Sequence, residues 1–240
     1  MRWILIGLAF SAIARAAMAE TADDLAQCRS GLGSDDDQIA ACGAVVVSSN
    51  GTAADKKLAY DNLSAALDHK GQYDQAIENA AQSIALEPHD PVAYFNRGVA
   101  HSHKGELELA IDDFSVAIAL DPNHVASYDN RGIALARKGD FAAAVADFTK
   151  AISLQPSAAQ ARLNRGTAFL RHSDYTKAIA DFTNVLAMDP ASAPARIARG
   201  VAYKGMGMKD EAIVDFRAAL QLRPDMQKAR DELVSLGETP

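Results

Sequence analysis

Aromatic residues are scarce in this 240-residue chain, and its composition suits neither a β-sandwich nor a nucleic-acid-binding domain. Phenylalanine, tyrosine and tryptophan make up 6% of the sequence, whereas alanine accounts for 49 residues. Strands favour aromatic and β-branched side chains, so this balance favours closely packed helices. Basic residues are also outnumbered, and the net charge of -7 weighs against the positive surface that nucleic-acid binders carry.

Signatures of catalysis are missing as well. The sequence contains no glycine-rich phosphate loop, no His-Glu-x-x-His motif and no nucleophile elbow. A zinc or nickel site built from His69, His101 and His103 is the alternative, but His101 and His103 are two positions apart and do not share a helix face. We therefore expect no enzymatic activity, no cofactor and no bound metal.

No apolar run is long enough to span a bilayer. The stretch over residues 3–14 follows a basic start at Arg2 and precedes the small-x-small triplet Ala17-Met18-Ala19. This pattern predicts a signal peptide over residues 1–19, with an uncleaved membrane anchor as the alternative. We expect an exported protein, periplasmic in a bacterial-type envelope or else secreted, without stable membrane insertion after cleavage.

The chain has only two cysteines, Cys28 and Cys42. An even cysteine count in an exported chain predicts one disulfide. The alternatives are two free thiols or half of a metal site, although no histidine lies within forty residues of Cys28. A closed loop of this length is expected to stabilise the fold by about 3 kcal/mol.

One period organises the rest of the chain. Five of the eight prolines are spaced by 34 residues, and units of that length with proline at position 32 cover 57–90, 91–124, 125–158, 159–192 and 193–226. Position 20 is alanine in all five units, position 8 is glycine in four, and position 24 is phenylalanine in the same four. Two apolar stretches separated by a glycine-centred break predict two helices in each unit.

These columns resemble the tetratricopeptide repeat (TPR), whose hallmarks are small residues at positions 8 and 20, an aromatic residue near 24 and proline at 32. The resemblance implies an all-α fold, a right-handed superhelical solenoid of antiparallel helix pairs. A single pair cannot bury its apolar stripe alone, so neighbouring pairs are expected to stack. The chain departs from the pattern at position 4, which is Tyr or Arg instead of Trp, and at position 7, which is arginine in four units.

The segments on either side of the five repeats are predicted to cap them. We expect residues 20–56 to form a degenerate helical pair closed by the disulfide, with a polar linker over 51–56. Residues 227–240 are expected to form a capping helix and a tail, because 227–236 has the pattern of one more first helix with polar residues on its outer side.

Two charged columns are predicted to pair inside the repeats. Position 7 is arginine and position 23 is aspartate in repeats two to five, and repeat one lacks both charges. An unpaired charge on a packing face is costly, so we expect an ion-pair ladder with a structural role. Its members are Arg97, Arg131, Arg165 and Arg199 with Asp113, Asp147, Asp181 and Asp215. A row of arginines binding an anionic ligand is the alternative.

A third column points to binding. Position 6 is asparagine in repeats one to four, at Asn62, Asn96, Asn130 and Asn164. In the resembling family, first-helix positions 2, 5, 9, 12 and 13 form a concave groove, and position 6 flanks them. We call the surface formed by these positions the groove face. Asparagine both donates and accepts hydrogen bonds, so such a row suits the backbone of an extended peptide. Phe95, Val99 and Ile133 are the expected apolar contacts, and the alternative is that the amides only satisfy neighbouring helices.

Together these patterns predict a non-catalytic scaffold or adaptor of the cell envelope that binds a peptide segment of a partner protein on the groove face. The alternative is an accessory subunit or assembly factor that contacts partners through its convex face or its acidic N-terminal segment. The partner is expected to be a protein or peptide, not a nucleic acid.

Overall fold

A computed structural model describes residues 22–239, and every regular element in that range is an α-helix. The signal-peptide prediction lies outside the described residues. Two compact units divide after Pro122. The first contains α1 (22–30), α2 (Asp35–Val47), α3 (Ala53–His69), α4 (Tyr73–Leu86), α5 (Pro91–Lys104) and α6 (Leu107–Leu120). The second contains α7 (Val125–Lys138), α8 (Phe141–Leu154), α9 (Ala159–Arg171), α10 (Tyr175–Met188), α11 (Ala193–Gly205), α12 (Lys209–Leu222) and α13 (Gln227–Ser235).

Each unit is built from consecutive helix pairs. The first helix of a repeat packs against its own second helix and also against the first helix of a neighbouring repeat, as α3 does with α4 and α5. Short breaks end each helix for local reasons. Gly139 has a φ of 95° at the end of α7, a conformation that other residues rarely adopt, and the Asp140 side chain then accepts from Ala143 N to start α8.

Close contact within repeats two to five depends on the glycine at position 8. A Cβ atom built on Gly166 lies 2.7 Å from Cε1 of Phe182, which is closer than carbon atoms approach. The same contact recurs in the other repeats with this pair of residues, and the four phenylalanines at position 24 are at most 1% exposed. Glycine at position 8 therefore makes room for the largest side chains of the core.

The N-terminal pair is held by the expected disulfide. Cys28 on α1 and Cys42 on α2 are bonded, with their Cα atoms 4.9 Å apart, and both are fully buried. The Gln38 amide donates to the carbonyl oxygen of Cys28 at 2.6 Å, so the α1 backbone is tied to α2 at a second point. This segment packs on α3 through α2.

The expected linker over 51–56 is wrong over its last four residues, because α3 begins at Ala53. Thr52 and Asp55 form a capping box in which each side chain accepts from the backbone N–H of the other. This arrangement satisfies two otherwise unpaired N–H groups and extends the first helix of repeat one toward the N-terminus.

The C-terminal helix α13 packs against α11 and α12, with Ala229 and Leu233 fully buried. It covers the apolar face of the last repeat, as a terminal cap must. None of the helices within residues 22–239 is both long and apolar enough to cross a membrane.

Candidate functional site

The arginines of position 7 contact the aspartates of position 23 in the same repeat. In all four pairs, guanidinium Nε and Nη2 donate to the two carboxylate oxygens at 2.7–2.8 Å. The aspartate side chains are 2–9% exposed and the arginines 19–27%. The hydrogen bond to its aspartate raises the pKa of each arginine. The pairs are Arg97–Asp113, Arg131–Asp147, Arg165–Asp181 and Arg199–Asp215.

These contacts join the two helices of one repeat. In repeat four, Arg165 also donates from Nη1 to Thr149 Oγ1 at 3.0 Å, and its guanidinium carbon lies 5.9 Å from the Phe169 ring centroid. The guanidinium group is thus engaged on several sides by protein atoms, a geometry that suits a structural role rather than capture of a ligand.

The asparagines of position 6 are half-buried, and their amide nitrogens are used inside the protein. Asn62 Nδ2 donates to the carbonyl oxygen of Cys28 at 2.8 Å, and Asn96 Nδ2 donates to that of Asp61 at 3.2 Å. Both bonds connect a first helix to the preceding first helix. One N–H of each amide is thereby committed to packing, which leaves a second N–H and the oxygen lone pairs of the side chain.

The two later asparagines differ in their partners. Asn130 Nδ2 donates to the carbonyl oxygen of Ala126 in its own helix at 2.9 Å. Asn164 Nδ2 donates to Asp129 Oδ1 at 3.2 Å, and its own Oδ1 accepts from Gln160 at 3.0 Å. Burial raises the pKa of the Asp129 carboxyl, against the lowering effect of this hydrogen bond. Three of the four asparagines therefore contribute to stacking of neighbouring first helices, and Asn164 also lines a cavity.

The predicted apolar contacts are also half-buried rather than fully open. Phe95 on α5 packs toward the core, with its ring centroid 5.9 Å from that of Phe114. Val99 lies one turn further along the same helix. Ile133 on α7 lines a cavity in the second unit.

That cavity, of about 460 Å³, lies between repeats three and four on the groove face. Its floor is apolar and continuous with a core cluster that contains Phe148 and Ala168. Among the described residues, its lining also includes three cations and no acidic side chain. The lining residues are Ile133, Ala136, Arg137, Lys138, Gly139, Phe141, Phe148, Asn164, Thr167, Ala168 and Arg171.

The cations of this cavity are functional candidates that sequence reasoning missed. Arg137 and Arg171 occupy position 13 of repeats three and four, the column in which His69 and His103 stand in repeats one and two. Position 13 shares one helix face with positions 9 and 12, so helix periodicity is the signal that could have found these cations.

The histidines are engaged by carboxylates. His103 Nδ1 lies 2.9 Å from both carboxylate oxygens of Asp68, and His101 Nδ1 lies 2.6 Å from Glu106 Oε2. Over residues 22–239, no three histidine, cysteine, aspartate or glutamate side chains come together in a way that suits a metal ion.

Comparisons with known proteins point to one family. Its profile, described as tetratricopeptide repeat, matches residues 64–125, 130–193 and 164–229. No curated protein matches the sequence significantly.

Solved structures with the same fold include several repeat proteins. YrrB, described as a TPR protein with an unusual peptide-binding site, is 21% identical with a TM-score of 0.64, and the match covers 72% of this chain and 90% of that one. MamA from Desulfovibrio magneticus RS-1 is 20% identical with a TM-score of 0.67, covering 72% and 98%. One chain of the Cut9–Hcn1 hetero-tetramer of the APC/C is 22% identical with a TM-score of 0.66, and the match covers 76% of this chain and 36% of that one. At these identities the likeness concerns the fold: an all-α solenoid of TPR helix pairs.

Proposed function

Because this chain belongs to the tetratricopeptide repeat family, we propose that it is a non-catalytic scaffold of the cell envelope that binds a peptide segment of a partner protein on its groove face. The cavity between repeats three and four carries this proposal. Its volume of about 460 Å³ falls in the range of ligand pockets, roughly 300–1,000 Å³, and an apolar floor with a few polar groups is typical of them.

The side chains around the cavity suit a peptide. Ile133 and Phe141 offer apolar contact to a side chain, while Asn164 and Thr167 offer polar groups to a backbone. YrrB, which shares the fold, is described as having a peptide-binding site.

The envelope location rests on the N-terminal sequence and on the disulfide. Disulfides persist in oxidising compartments such as the bacterial periplasm, and the Cys28–Cys42 bond is fully buried beside α3. A signal segment over residues 1–19 supplies the route to that compartment.

The accessory-subunit alternative is favoured by one observation. Leu32, just before the acidic start of α2 at Asp35–Asp37, is 74% exposed, and Val47, at the other end of α2, is 82% exposed. Large apolar side chains with this exposure offer a partner a second place of contact.

A phage-displayed library of random peptides, selected against the full exported protein, tests peptide binding on the groove face against binding at the N-terminal pair. Thr167→Trp places a large ring at an exposed position that lines the cavity. Val214→Trp is the matched control, since Val214 is 66% exposed on the second helix of repeat five. We expect selected peptides to lose at least about tenfold in affinity with Thr167→Trp, equal to about 1.4 kcal/mol, and to bind the control as they bind the wild type.

Equal affinity for the wild type and Thr167→Trp contradicts binding on the groove face. If binding is then lost with Leu32→Asp and Val47→Asp together, the partner contacts the N-terminal pair, and the accessory-subunit function replaces the proposed one.

A further inference from the structure

Two repeats carry a carboxylate at position 5 of the groove face, Asp61 in repeat one and Asp129 in repeat three. The other three repeats have apolar side chains at this position: Phe95, Leu163 and Ile197. A carboxylate that is partly removed from water costs free energy unless another group compensates its charge. The two aspartates therefore raise the question of what each of them is paired with.

The protein itself pairs the carboxylate of repeat one. Lys57 at position 1 places its Nζ 2.9 Å from Asp61 Oδ2, and Ser83 at position 27 donates from Oγ to Asp61 Oδ1 at 2.5 Å. The same ammonium group also pairs with Asp90 at position 34, which caps α5. In this fold, a carboxylate at position 5 thus takes a lysine ammonium as its partner.

Repeat three has the carboxylate without these partners. Its positions 1, 27 and 34 are the apolar residues Val125, Ala151 and Ala158. Asp129 is half-buried, and Asn164 Nδ2 donates to its Oδ1 at 3.2 Å. Burial raises the pKa of this carboxyl, and no cation within residues 22–239 opposes that effect. A neutral amide is therefore the partner of a charge that elsewhere in the chain is neutralised.

This carboxylate lies beside the cavity between repeats three and four. Asn164, which donates to Asp129, also lines the cavity. Two cations of the lining, Arg137 and Lys138, interact with other residues of the protein. Arg137 is eight residues beyond Asp129, about 12 Å further along α7. Asp129 is thus at the end of the cavity away from these cations.

Resting on the proposed function, we propose that Asp129 binds a lysine or arginine side chain of the partner segment, while a neighbouring apolar side chain of that segment enters the cavity. The partner's cation does for Asp129 what Lys57 does for Asp61. Residues of an extended peptide are roughly 3.5 Å apart, so side chains one or two residues apart reach both places. Lysine and arginine also have long apolar stems, which suit a carboxylate beside an apolar opening.

The test uses peptides selected from the phage library on the wild-type protein, then synthesised and measured by calorimetric titration. We expect lysine or arginine to be enriched one or two residues from Phe, Trp, Leu or Ile. Asp129→Asn keeps the shape of the side chain and is expected to weaken these peptides roughly tenfold, because a charged hydrogen bond is lost. Asp210→Asn removes the same charge at an exposed position of α12, and we expect unchanged affinity.

Val125→Lys tests the comparison with repeat one while leaving the carboxylate in place. The new lysine stands one turn before Asp129, as Lys57 stands before Asp61, so we expect it to compete with the basic residue of the peptide and to weaken binding. Replacing that basic residue with methionine is expected to weaken binding to the wild type but to have little effect on binding to Asp129→Asn, since the two changes remove the same contact.

The failure of this inference differs from the failure of the proposed function. If Thr167→Trp weakens the selected peptides while Asp129→Asn and Val125→Lys bind them as the wild type does, recognition of a cation by Asp129 is wrong and peptide binding on the groove face stands. Additive effects of Asp129→Asn and of the methionine peptide also contradict a direct contact. If Thr167→Trp leaves affinity unchanged, the proposed function fails and this inference with it.

Discussion

Removing one partner of an Arg–Asp pair is expected to cost more when the aspartate is left behind than when the arginine is. The pair in repeat four is suited to the test. Arg165 donates two bonds to Asp181, at 2.7 and 2.8 Å, and the aspartate side chain is 5% exposed against 20% for the arginine. Breaking a buried pair by removing one member costs about 3–5 kcal/mol.

Because the aspartate is more buried than the arginine, the two single variants are expected to lose different amounts of the free energy of unfolding. Arg165→Met keeps most of the packing of the stem but leaves a buried carboxylate without its partner, so we expect a loss of about 3 kcal/mol in the free energy of unfolding. Asp181→Leu leaves a guanidinium that reaches water and keeps Thr149 as a partner, so a loss of about 1.5 kcal/mol is expected. Without both charges, the double variant is expected to lose only about 1 kcal/mol.

Urea unfolding followed by far-UV circular dichroism, with the disulfide intact in every variant, measures these values. The sum of the single losses is expected to exceed the loss of the double variant by about 3.5 kcal/mol, which is the coupling between the two side chains. Additive losses, or a larger loss for Asp181→Leu than for Arg165→Met, refute the reasoning from burial.

Three further changes test other parts of the structure. Gly200→Ala is expected to destabilise the protein by about 1–3 kcal/mol in urea unfolding, because the new Cβ lies 2.7 Å from the Phe216 ring, whereas Gly43→Ala in α2 meets nothing within 4 Å and is expected to stabilise it. Cys42→Ser removes the disulfide and is expected to cost about 3 kcal/mol, seen as faster amide hydrogen exchange in α2; unchanged exchange contradicts this. Asp129→Asn is expected to raise stability at neutral pH, since burial raises the pKa of this carboxyl and the wild type loses stability as pH rises through that pKa. This gain in the free energy of unfolding shrinks as the pH falls toward 3.8, the ordinary pKa of an aspartate. A gain independent of pH contradicts a raised pKa for Asp129.

Features that repeat every 34 residues could be predicted because each residue's surroundings recur with the period. Glycine at position 8 opposite phenylalanine at position 24 follows from the helix geometry of a single pair. The pairing of Arg97 with Asp113 was expected because two charges appear and disappear together in columns of one packing face. The capping box of Thr52 and Asp55 was also present in the sequence, and attention to it places the start of α3 correctly.

The hydrogen-bond partners of the position-6 asparagines could not be predicted from the repeat pattern. Position 6 is the same residue in four repeats, yet Asn62 and Asn96 donate to the preceding first helix, Asn130 donates within its own helix, and Asn164 contacts a side chain. An amide has donors and an acceptor, and its partner depends on which backbone and side-chain atoms the stacking brings near.

The sequence by itself determined the all-α repeat, the core columns and the family, because these depend on spacing along one chain. Only the tertiary structure decided where on the groove face a cavity lies. The cavity depends on how far the ring at position 17 covers position 13 of the next repeat, which differs between Tyr175 against Gly205 and Phe141 beside Arg171. That difference is one of packing between side chains in different repeats, and spacing alone does not contain it.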